Sequence, residues 1–313
     1  MMHAKACQNP HCSQPSLKSP SFKIIQRISS SRFSVYTICF NDSNQHLALK
    51  LFPFKYNKPN KSFIAESRFI TLCHENVIAF IYAEERQKVK HKDNISVSSY
   101  ILMELAPYGD FVTLFNEAGL FEDPKLIRTF FHQLINGIEY LHSQGVAHMD
   151  LKLDNLLLGE KFKLKIADFD CAYKSGDLEI HSRGTRNYRA PEVRQVEVYD
   201  PFATDIYSAG VILFKLMTKT FPYVEDTLVR GYDLEQLLRS DPSHFWEVHE
   251  NFNPVGSKLL DEDFKSLFMS MIRDDPVERA TIQEIKQSKW YKGEVYREKE
   301  YKYIVSSLLE LNN

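Results

Sequence analysis

Glycine is the residue that this sequence most conspicuously lacks. It has only 11 glycines among 313 residues, about half the usual ~7%, and the first is Gly109. A chain without glycine cannot form the G-x-G-x-x-G turn of a dinucleotide-binding fold, which excludes that fold before Gly109. No two glycines anywhere have the Walker A spacing before a lysine, which also excludes a P-loop NTPase.

Other shortages narrow the class of protein further. Five scattered cysteines are an odd number and do not resemble a secreted disulfide framework. A net charge of −2 with a pI near 6.6 gives no field that would recruit nucleic acid or an anionic membrane. The longest apolar run, Ala209–Leu216, contains Lys215 and is far shorter than the ~20 residues of a membrane-spanning helix. The first residues lack the apolar core of a secretory signal. We therefore expect an intracellular, cytoplasmic protein that binds neither nucleic acid nor membrane.

The first part of the chain reads as a polar tail followed by short strands. Residues 1–21 are rich in proline and serine and are expected to be disordered, although Cys7, His11 and Cys12 leave half a zinc site as a weaker alternative. Between Ser62 and Cys73 the pattern favours a helix, and the basic run Arg86–Lys92 is expected to be a solvated loop. Alternating β-branched and aromatic residues predict antiparallel strands at Phe22–Ile28, Phe33–Phe40, His46–Phe52 and Ile95–Leu105.

After Gly109 the sequence becomes helical. Asp123-Pro124 is an N-cap followed by a proline at the first helical position, and the apolar spacing that follows predicts a helix that stops before Gly145. Further helices are predicted at Ala203–Thr218, Leu234–Ser240, Asp261–Arg273 and Thr281–Gln287, and a last surface helix within 294–313. This order predicts an α+β fold, a small antiparallel sheet with one helix followed by a larger, mainly helical lobe.

One segment concentrates groups that can do chemistry. Val146–Leu158 reads VAHMDLKLDNLLL, and its polar residues are His148, Asp150, Lys152, Asp154 and Asn155. Charges placed between apolar runs must be paired or functional, because burying them is costly. An apolar strand follows, and Asp168-Phe169-Asp170 comes directly after it. Carboxylate and amide oxygens are the ligands of hard divalent cations, so these residues predict a metal site.

In order and spacing, these segments resemble the signature motifs of eukaryotic serine/threonine protein kinases. HMDLKLDN stands for H-R-D-L-x-x-x-N, DFD for D-F-G, and LALK, which ends at Lys50, for V-A-I-K. The second part adds the docking loop GTRNYRAPE, the helix start DIYSAG, and Arg279, which the family pairs with the A-P-E glutamate, here Glu192. The resemblance covers about residues 22–292 and implies a two-lobed kinase fold. Its expected parts are a small lobe 22–103, a hinge 104–109, a large lobe 110–292 and a C-terminal tail 293–313.

The resemblance also implies a reaction, the transfer of the γ-phosphate of ATP to serine or threonine hydroxyls of protein substrates with the help of Mg²⁺. Asp150 is the expected catalytic base and Lys152 is expected to hold the transferring phosphate. Asn155 and Asp168 are the expected Mg²⁺ ligands.

Lys50 is expected to contact the α- and β-phosphates and to pair with Glu66, for which a solvated position is the alternative. The hinge run implies that Met103 is the gatekeeper residue and that Glu104 and Ala106 offer backbone groups to adenine. Asp110 is expected to contact the ribose, and Ala48 and Leu157 are expected to pack on the two faces of the adenine ring. The full set of residues expected to bind the nucleotide is Ile28, Ser29, Ser31, Ser34, Tyr36, Ala48, Lys50, Glu66, Met103, Glu104, Ala106, Asp110 and Leu157.

Three departures from the family pattern carry expectations of their own. Serines occupy all three glycine positions of the phosphate loop (Ser29, Ser31 and Ser34), so we expect weaker or slower nucleotide handling. Met149 replaces the arginine that pairs with a phosphorylated loop, so we expect activity without phosphorylation of the segment that follows Asp168. Asp170 replaces the glycine of D-F-G, and aspartate tolerates left-handed backbone better than most residues.

Two other functions stay open at this stage. A pseudokinase that serves as a scaffold or nucleotide sensor is supported by the serine-for-glycine loop, and a metal-dependent hydrolase could be built on His148, Asp150 and Asp168. The acids Asp154 and Asp110 hint at basic substrates, and Lys215 weakens that hint. The sequence does not specify an oligomeric state, and a monomer is the default expectation.

Overall fold

The structure is a computed structural model. It describes residues 22–29, 33–40, 45–54, 58–91, 94–117, 120–180, 184–195, 198–224, 227–229, 231–252 and 260–310. Residues 1–21, on which the predicted tail and the zinc alternative lie, are outside this set. The described chain forms two compact units. One contains the residues up to Gly109 together with Leu157–Ala172, and the other contains Asp110–Leu156 and the residues from Tyr173 onward.

The first unit is built on a five-stranded antiparallel sheet. The strand order is β1-β2-β3-β5-β4. Its strands are β1 (Phe22–Ser29), β2 (Ser34–Phe40), β3 (His46–Pro53), β4 (Phe80–His91) and β5 (Asn94–Glu104). Four of the five were predicted from alternation, and β4 was missed. The α+β class, with a sheet unit and a mainly helical unit, is confirmed.

The prediction of a solvated loop at Arg86–Lys92 is wrong for the part that the structure describes. Residues 86–91 belong to β4, and Lys88 and Val89 lie opposite Val97 and Ser96 of β5. Arg86 and Lys88 are exposed whereas Val89 is buried, which is the alternation of a strand. β4 is an edge strand, and basic side chains are common on such edges because they discourage pairing with other chains.

The two faces of the sheet have different roles. Leu47, Leu49 and Leu51 of β3 point to an apolar cluster with residues from the neighbouring strands. Ala48 and Lys50 therefore lie on the opposite face, because successive strand residues alternate. This alternation places Lys50 on the face away from the main apolar cluster.

The predicted helix Ser62–Cys73 is shorter in the structure. It runs over α1 (Lys61–Ser67) and is capped by Asn60, whose side chain accepts a hydrogen bond from the amide of Ser62. Beyond Ser67 the amide of Phe69 bonds to the carbonyl of Glu66, a three-residue spacing that replaces the helical bond. The chain turns there because Phe69 and Leu72 are buried.

Residues 157–172, which the sequence reading assigned to the large lobe, pack with the first unit. The amide of Ile78 donates to the carbonyl of Ile166 at 2.9 Å, and Asn76 Nδ2 donates to the carbonyl of Leu164 at 3.0 Å. These hydrogen bonds join residues almost 90 positions apart, which no local pattern could indicate. Two short strands, β7 (Leu156–Leu158) and β8 (Leu164–Ile166), pair with each other here, whereas β6 (Val146–Ala147) and β9 (Tyr173–Lys174) pair within the second unit.

The second unit is mainly helical. Its described helices are α2 (Phe111–Glu117), α3 (Pro124–Ser143), α4 (Glu192–Gln195), α5 (Pro201–Thr218), α6 (Leu234–Ser240), α7 (Pro242–Phe252), α8 (Glu262–Met271), α9 (Ile282–Gln287) and α10 (Glu298–Glu310). The five predicted internal helices are present within two residues at each end, whereas α2, α4 and α7 were missed. No helix of the described segments is both long and apolar enough to cross a membrane.

Helix α5 forms the centre of the second unit. It is apolar on nearly all sides, which is typical of a buried helix, and it packs against α3 and α8. Its N-terminus is specified by sequence, because Asp200 caps the amide of Phe202 and Pro201 takes the first position. One buried carboxylate, that of Asp205, lies on this helix.

The C-terminal segment packs against α3, and the predicted surface helix is present as α10, with only two buried residues. Trp290 is 2% exposed and lies under the guanidinium of Arg128, 4.6 Å from the ring centre. Tyr291 stacks on His132 at 3.7 Å, and in α10 Tyr301 and Val305 are buried. The expected tail is thus part of the folded second unit as far as Glu310.

Candidate functional site

In the first unit the sequence-predicted residues meet around Lys50. Its Nζ lies 2.6 Å from Glu66 Oε2 and 2.7 Å from Asp168 Oδ1. Lys50 and Glu66 are 6% and 1% exposed, so the ion pair expected between them is present and the solvated alternative for Glu66 does not hold. Strand β3, helix α1 and the segment after β8 each supply one group.

Burial and charge act against each other in this cluster. Burial raises the pKa of Glu66 to about 7, because Lys50 only partly offsets the desolvation and the nearby Asp168 adds repulsion. Burial alone would lower the pKa of Lys50, but the attraction of Glu66 and Asp168 outweighs it and raises that pKa above its ordinary value. The lysine is therefore held as a cation at neutral pH.

The segment Asp168-Phe169-Asp170 is anchored through its aromatic residue. Phe169 is fully buried and its ring contacts Phe69 at 5.7 Å and Phe80 at 5.8 Å. The left-handed residue of the segment is Asp168, with φ of 68°, and Asp170 is not among the residues of positive φ. The turn in this structure therefore does not use the position where the family has glycine, and Asp170 instead accepts a hydrogen bond from Cys171 Sγ at 3.2 Å.

The predicted hinge residues are only partly disposed as expected. Met103 is buried and lies opposite Ala48 in the β3–β5 pairing. The amide of Glu104 donates to the carbonyl of Ala79 at 2.9 Å, so this amide is not available to an adenine ring. The Glu104 carboxylate accepts from the Ala79 amide and pairs with Lys165 at 2.8 Å. This side chain ties the end of β5 to β8.

Three other predicted nucleotide residues are Ala106 in the hinge, Asp110 directly after it, and Leu157 much later in the chain. The carbonyl of Ala106 accepts a bond from the amide of Gly109, which closes a turn. Leu157 is half-buried in the first unit. Asp110 belongs to the second unit, where its carboxylate accepts from the amide of Thr113 at 2.8 Å and so caps α2.

The assignment of Tyr36 to the nucleotide site is wrong in this structure. Tyr36 pairs with Leu49 and lies in the apolar cluster, on the face of the sheet opposite Lys50. Its neighbour Val35 pairs with Lys50 and shares its face. A shift of one residue in the strand register exchanges the faces, and the alignment of the serine loop with the family pattern did not detect it.

The turn between β1 and β2 is held by an arginine. Arg27 Nη2 donates to Ser34 Oγ at 2.9 Å and Arg27 Nε donates to the carbonyl of Ser29 at 3.3 Å. Ile28 is about half exposed at the end of β1. Ser31, the middle predicted position, lies outside the described residues. A guanidinium thus bridges the two described serines, one at the end of β1 and the other at the start of β2.

In the second unit Asp150 is the centre of a tight hydrogen-bond network. Thr185 Oγ1 donates to Asp150 Oδ1 at 2.6 Å, and Lys152 Nζ donates to Asp150 Oδ2 at 2.9 Å and to Thr185 Oγ1 at 2.8 Å. Asn155 Nδ2 donates to the Asp150 carbonyl at 2.8 Å. The sequence reading placed Asp150, Lys152 and Asn155 together but missed Thr185, whose position next to Gly184 in GTRNYRAPE was the available signal.

A buried carboxylate of α5 holds this loop in position. Asp205 is 1% exposed, and its two oxygens accept the backbone amides of His148 at 2.8 Å and Met149 at 2.9 Å. His142 Nε2 lies 3.0 Å from Asp205 Oδ2. Met149 has a φ of 66°, so the carboxylate fixes a left-handed backbone position next to Asp150.

The segment after the loop is also fixed to it. Gly184 has a φ of 66°, and a Cβ at this position would lie 2.5 Å from the Met149 carbonyl oxygen, so only glycine fits. The Met149 side chain is buried, and Thr204 Oγ1 lies 3.3 Å from its sulfur. Arg279 forms the pair expected from the sequence, with both carboxylate oxygens of Glu192, at 2.7 and 2.9 Å.

The predicted metal ligands are distributed over the two units. Asp168 belongs to the first and its side chain is 41% exposed, and Asn155 belongs to the second. Asn155 uses its amide nitrogen toward Asp150, which leaves its carbonyl oxygen as the possible ligand atom. Within the described ranges, no group of three or more His, Cys, Asp or Glu side chains could hold a metal ion.

Comparison with known proteins gives a consistent result. Residues 22–291 match the model of the protein kinase domain family. A probable serine/threonine-protein kinase MARK-B of Dictyostelium discoideum is 32% identical over 279 residues, which are 86% of this chain and 36% of the relative. CBL-interacting protein kinase 11 of Oryza sativa subsp. japonica is 36% identical over 63% of this chain and 37% of its own length. Serine/threonine-protein kinase stk11 of Xenopus laevis is 31% identical over 71% of this chain and 48% of its own length. The chain thus spans between a third and a half of these relatives.

Proposed function

The chain belongs to the protein kinase domain family, and from this premise we propose that it transfers the γ-phosphate of ATP to serine or threonine hydroxyls of protein substrates. The observation that carries the proposal is the hydrogen bond from Thr185 Oγ1 to Asp150 Oδ1 at 2.6 Å. A threonine hydroxyl is an acceptor group of the proposed reaction, and in this structure Asp150 accepts a hydrogen bond from such a hydroxyl. A catalytic base must be able to form this hydrogen bond with its substrate.

The proposed roles follow from charges and distances within each unit. Asp150 orients the acceptor hydroxyl and takes its proton as the oxygen bonds to the γ-phosphorus and the bond to the leaving ADP oxygen breaks. Lys152, 2.9 Å from Asp150, balances that carboxylate and faces the transferring phosphate. Lys50, held as a cation by Glu66, supplies positive charge to the nucleotide phosphates.

Asp168 and Asn155, which lie in different units, each carry an oxygen atom of a kind that suits a hard divalent cation. Asp168 offers a half-exposed carboxylate and Asn155 an amide oxygen, and oxygen ligands of this kind are those that Mg²⁺ prefers. When bound, Mg²⁺ neutralises charge on the phosphate oxygens. The contact of Lys50 with Asp168 restrains that carboxylate in the absence of a cation.

The hinge and sheet face provide the proposed adenine site. Ala48 and Val35 lie on the face of the sheet that carries Lys50, and Met103 is next to Ala48 in the pairing of the strands. Val35 replaces Tyr36 in this proposal because the register puts it on that face. Ile28, Ala106, Asp110 and Leu157 remain predicted nucleotide contacts.

A transfer assay with Mg-ATP and a generic basic protein tests the function. We expect phosphate incorporation by the wild type and a loss of about 10²–10⁴-fold in the Asp150→Asn variant, the usual contribution of a general base. The control is Glu160→Gln, an exposed acid that has no part in the proposed site. Equal rates in wild type and Asp150→Asn would contradict the assignment of the base.

A pseudokinase remains the second candidate, and one observation favours it. Serines 29 and 34 flank the turn where the family has glycines, and Arg27 bridges them. A side chain at these positions limits how closely the backbone can approach a phosphate. If no transfer occurs and the fold is intact, the thermal midpoint with ATP, in the presence and absence of Mg²⁺, separates a nucleotide-binding scaffold from one that binds no nucleotide.

A further inference from the structure

Lys215 is a half-buried cation of the second unit without a salt-bridge partner among the described residues. It lies in the last turn of α5. Burial lowers its pKa, and the carboxylate that opposes this shift, that of Asp154, is not within ion-pair distance. A desolvated ammonium with no anion beside it is unfavourable, so the site is better satisfied when an anion is supplied from outside.

Aromatic rings replace part of the lost hydration. Lys215 Nζ lies 4.1 Å from the centre of the Phe221 ring and 5.6 Å from that of Phe115. Such contacts attract a cation but do not accept the three N–H bonds of an ammonium as oxygen atoms do. The rings therefore fix the position of the charge and leave its donors for another group.

This cation belongs to the same unit as the proposed catalytic base and is connected to its loop through aromatic contacts. Tyr188 meets the Phe221 ring edge-on at 5.2 Å, is hydrogen-bonded to the backbone of Leu153, and follows Thr185 in the same short segment. Asp154, whose charge Lys215 senses, is four residues after Asp150, a separation of at most ~14 Å. An extended peptide covers the span from Asp150 to Asp154 in about four residues, and Asp154 is the carboxylate that interacts electrostatically with Lys215.

We propose that Lys215 selects protein substrates with an acidic side chain within a few residues of the acceptor serine or threonine. The proposal rests on the proposed kinase function, since Asp150 must engage the acceptor. A substrate carboxylate would form the charge-assisted hydrogen bond that the ammonium lacks, whereas a substrate arginine would meet a like charge. Asp154 favours basic groups, but it is exposed, and solvent screens its charge more than that of Lys215.

The test uses peptides with one serine and a single aspartate or arginine moved through the four positions on either side of it. We expect the wild type to prefer aspartate over arginine at one of these positions by about tenfold in kcat/KM, equivalent to ~1.4 kcal/mol. Lys215→Met keeps an unbranched side chain over the Phe221 ring but removes the charge, and we expect it to abolish this preference. Lys215→Glu reverses the charge and is expected to invert the preference. Unfolding midpoints establish that both variants are folded.

Lys219, the C-cap residue that follows the same helix, provides a matched control. Its Nζ lies 4.9 Å from the Phe115 ring, but it donates to the carbonyl of Phe121 and is thereby satisfied. Lys219→Met is expected to keep the wild-type preference. An unchanged preference in Lys215→Glu, or a wild type that favours arginine at every position, overturns the proposal.

Binding of labelled versions of the same peptides separates this proposal from the proposed function. If no phosphate is transferred but the aspartate peptide binds more tightly and Lys215→Glu reverses the order, the kinase function fails and the selectivity of Lys215 holds. Transfer without any dependence on residue 215 overturns the selectivity alone. If neither binding nor transfer distinguishes the peptides, Lys215 has no such role.

Discussion

The two units hold their functional side chains in different ways. In the first unit Lys50, Glu66 and Asp168 hold one another by charge in a largely buried cluster. In the second unit the loop around Asp150 is held through its backbone, by the buried carboxylate of Asp205. Removal of one charge in the first unit leaves its partners unbalanced, whereas removal of a side chain from the loop around Asp150 leaves the backbone anchored. The first arrangement is therefore sensitive to charge and pH, and the second to hydrogen-bond geometry.

The largest effect on stability is expected from Lys50→Met. Removing one member of a buried ion pair usually costs about 3–5 kcal/mol, and we expect about 3 kcal/mol because Glu66 can take up a proton. Urea unfolding measures the loss, and adding Glu66→Gln should restore part of it. Lys163→Met is the control, since Lys163 pairs with the exposed Glu75. The comparison fails if both lysine variants lose the same stability.

The pH dependence of stability tests the same cluster. The pKa of Glu66 is about 7 in the folded chain and near 4.3 when unfolded, so the folded state binds more protons between these values. The contribution of Glu66 to the free energy of unfolding is therefore highest below about pH 4 and falls, by at most about 4 kcal/mol, as pH rises to about 7. The difference between wild type and Glu66→Gln, measured by urea unfolding from about pH 5 to 8, should follow this slope. A difference independent of pH contradicts it.

The anchor of the second unit is tested by Asp205→Asn. One oxygen of the carboxylate is replaced by an amide that cannot accept, so the backbone N–H of His148 or Met149 loses its partner. We expect a loss of about 1–3 kcal/mol, together with a lower transfer rate, from thermal unfolding and the kinase assay. Asp200→Asn, at the exposed cap of the same helix, should change little because asparagine also caps helices well. Equal losses in the two variants would show that Asp205 has no special role.

The smallest effect is expected from dephosphorylation. The family position for the phosphate-binding arginine is Met149, whose side chain is buried next to Thr204. Gly184 packs directly on the Met149 carbonyl, so this segment meets the loop by close packing. Phosphatase-treated protein should therefore transfer phosphate at the rate of untreated protein. This expectation is refuted if the phosphatase-treated protein is inactive and regains its activity when it is phosphorylated again.

Local sequence signals were reliable where the structure depends on neighbours in the chain. The start of α3 followed from Asp123 and Pro124, and the start of α9 from Thr281, which forms a capping box with Glu284. Alternation located β1, β2 and β3. It missed β4 because the basic run resembles a loop until the hydrogen bonds to β5 are known.

In the candidate site, too, local sequence signals predicted some features and missed others. The identities of Lys50, Asp150, Lys152, Asn155 and Asp168 came from motifs, and so did the proposed reaction. The exchange of Tyr36 for Val35 and the contribution of Thr185 did not, and for Lys215 the motif comparison gave only a hint about substrate charge. Each depends on which face of a strand is used or on which distant segment approaches the loop.

The sequence by itself therefore determined the kinds of chemical group, the family and most helix boundaries, because these depend on residue identity and on spacing along the chain. Only the tertiary structure decided that Glu66 is buried against Lys50, that residues 157–172 pack with the sheet unit, and that Asp205 fixes the loop around Asp150. The physical reason is that these contacts join residues far apart in sequence, and their strength comes from burial, which no local pattern records.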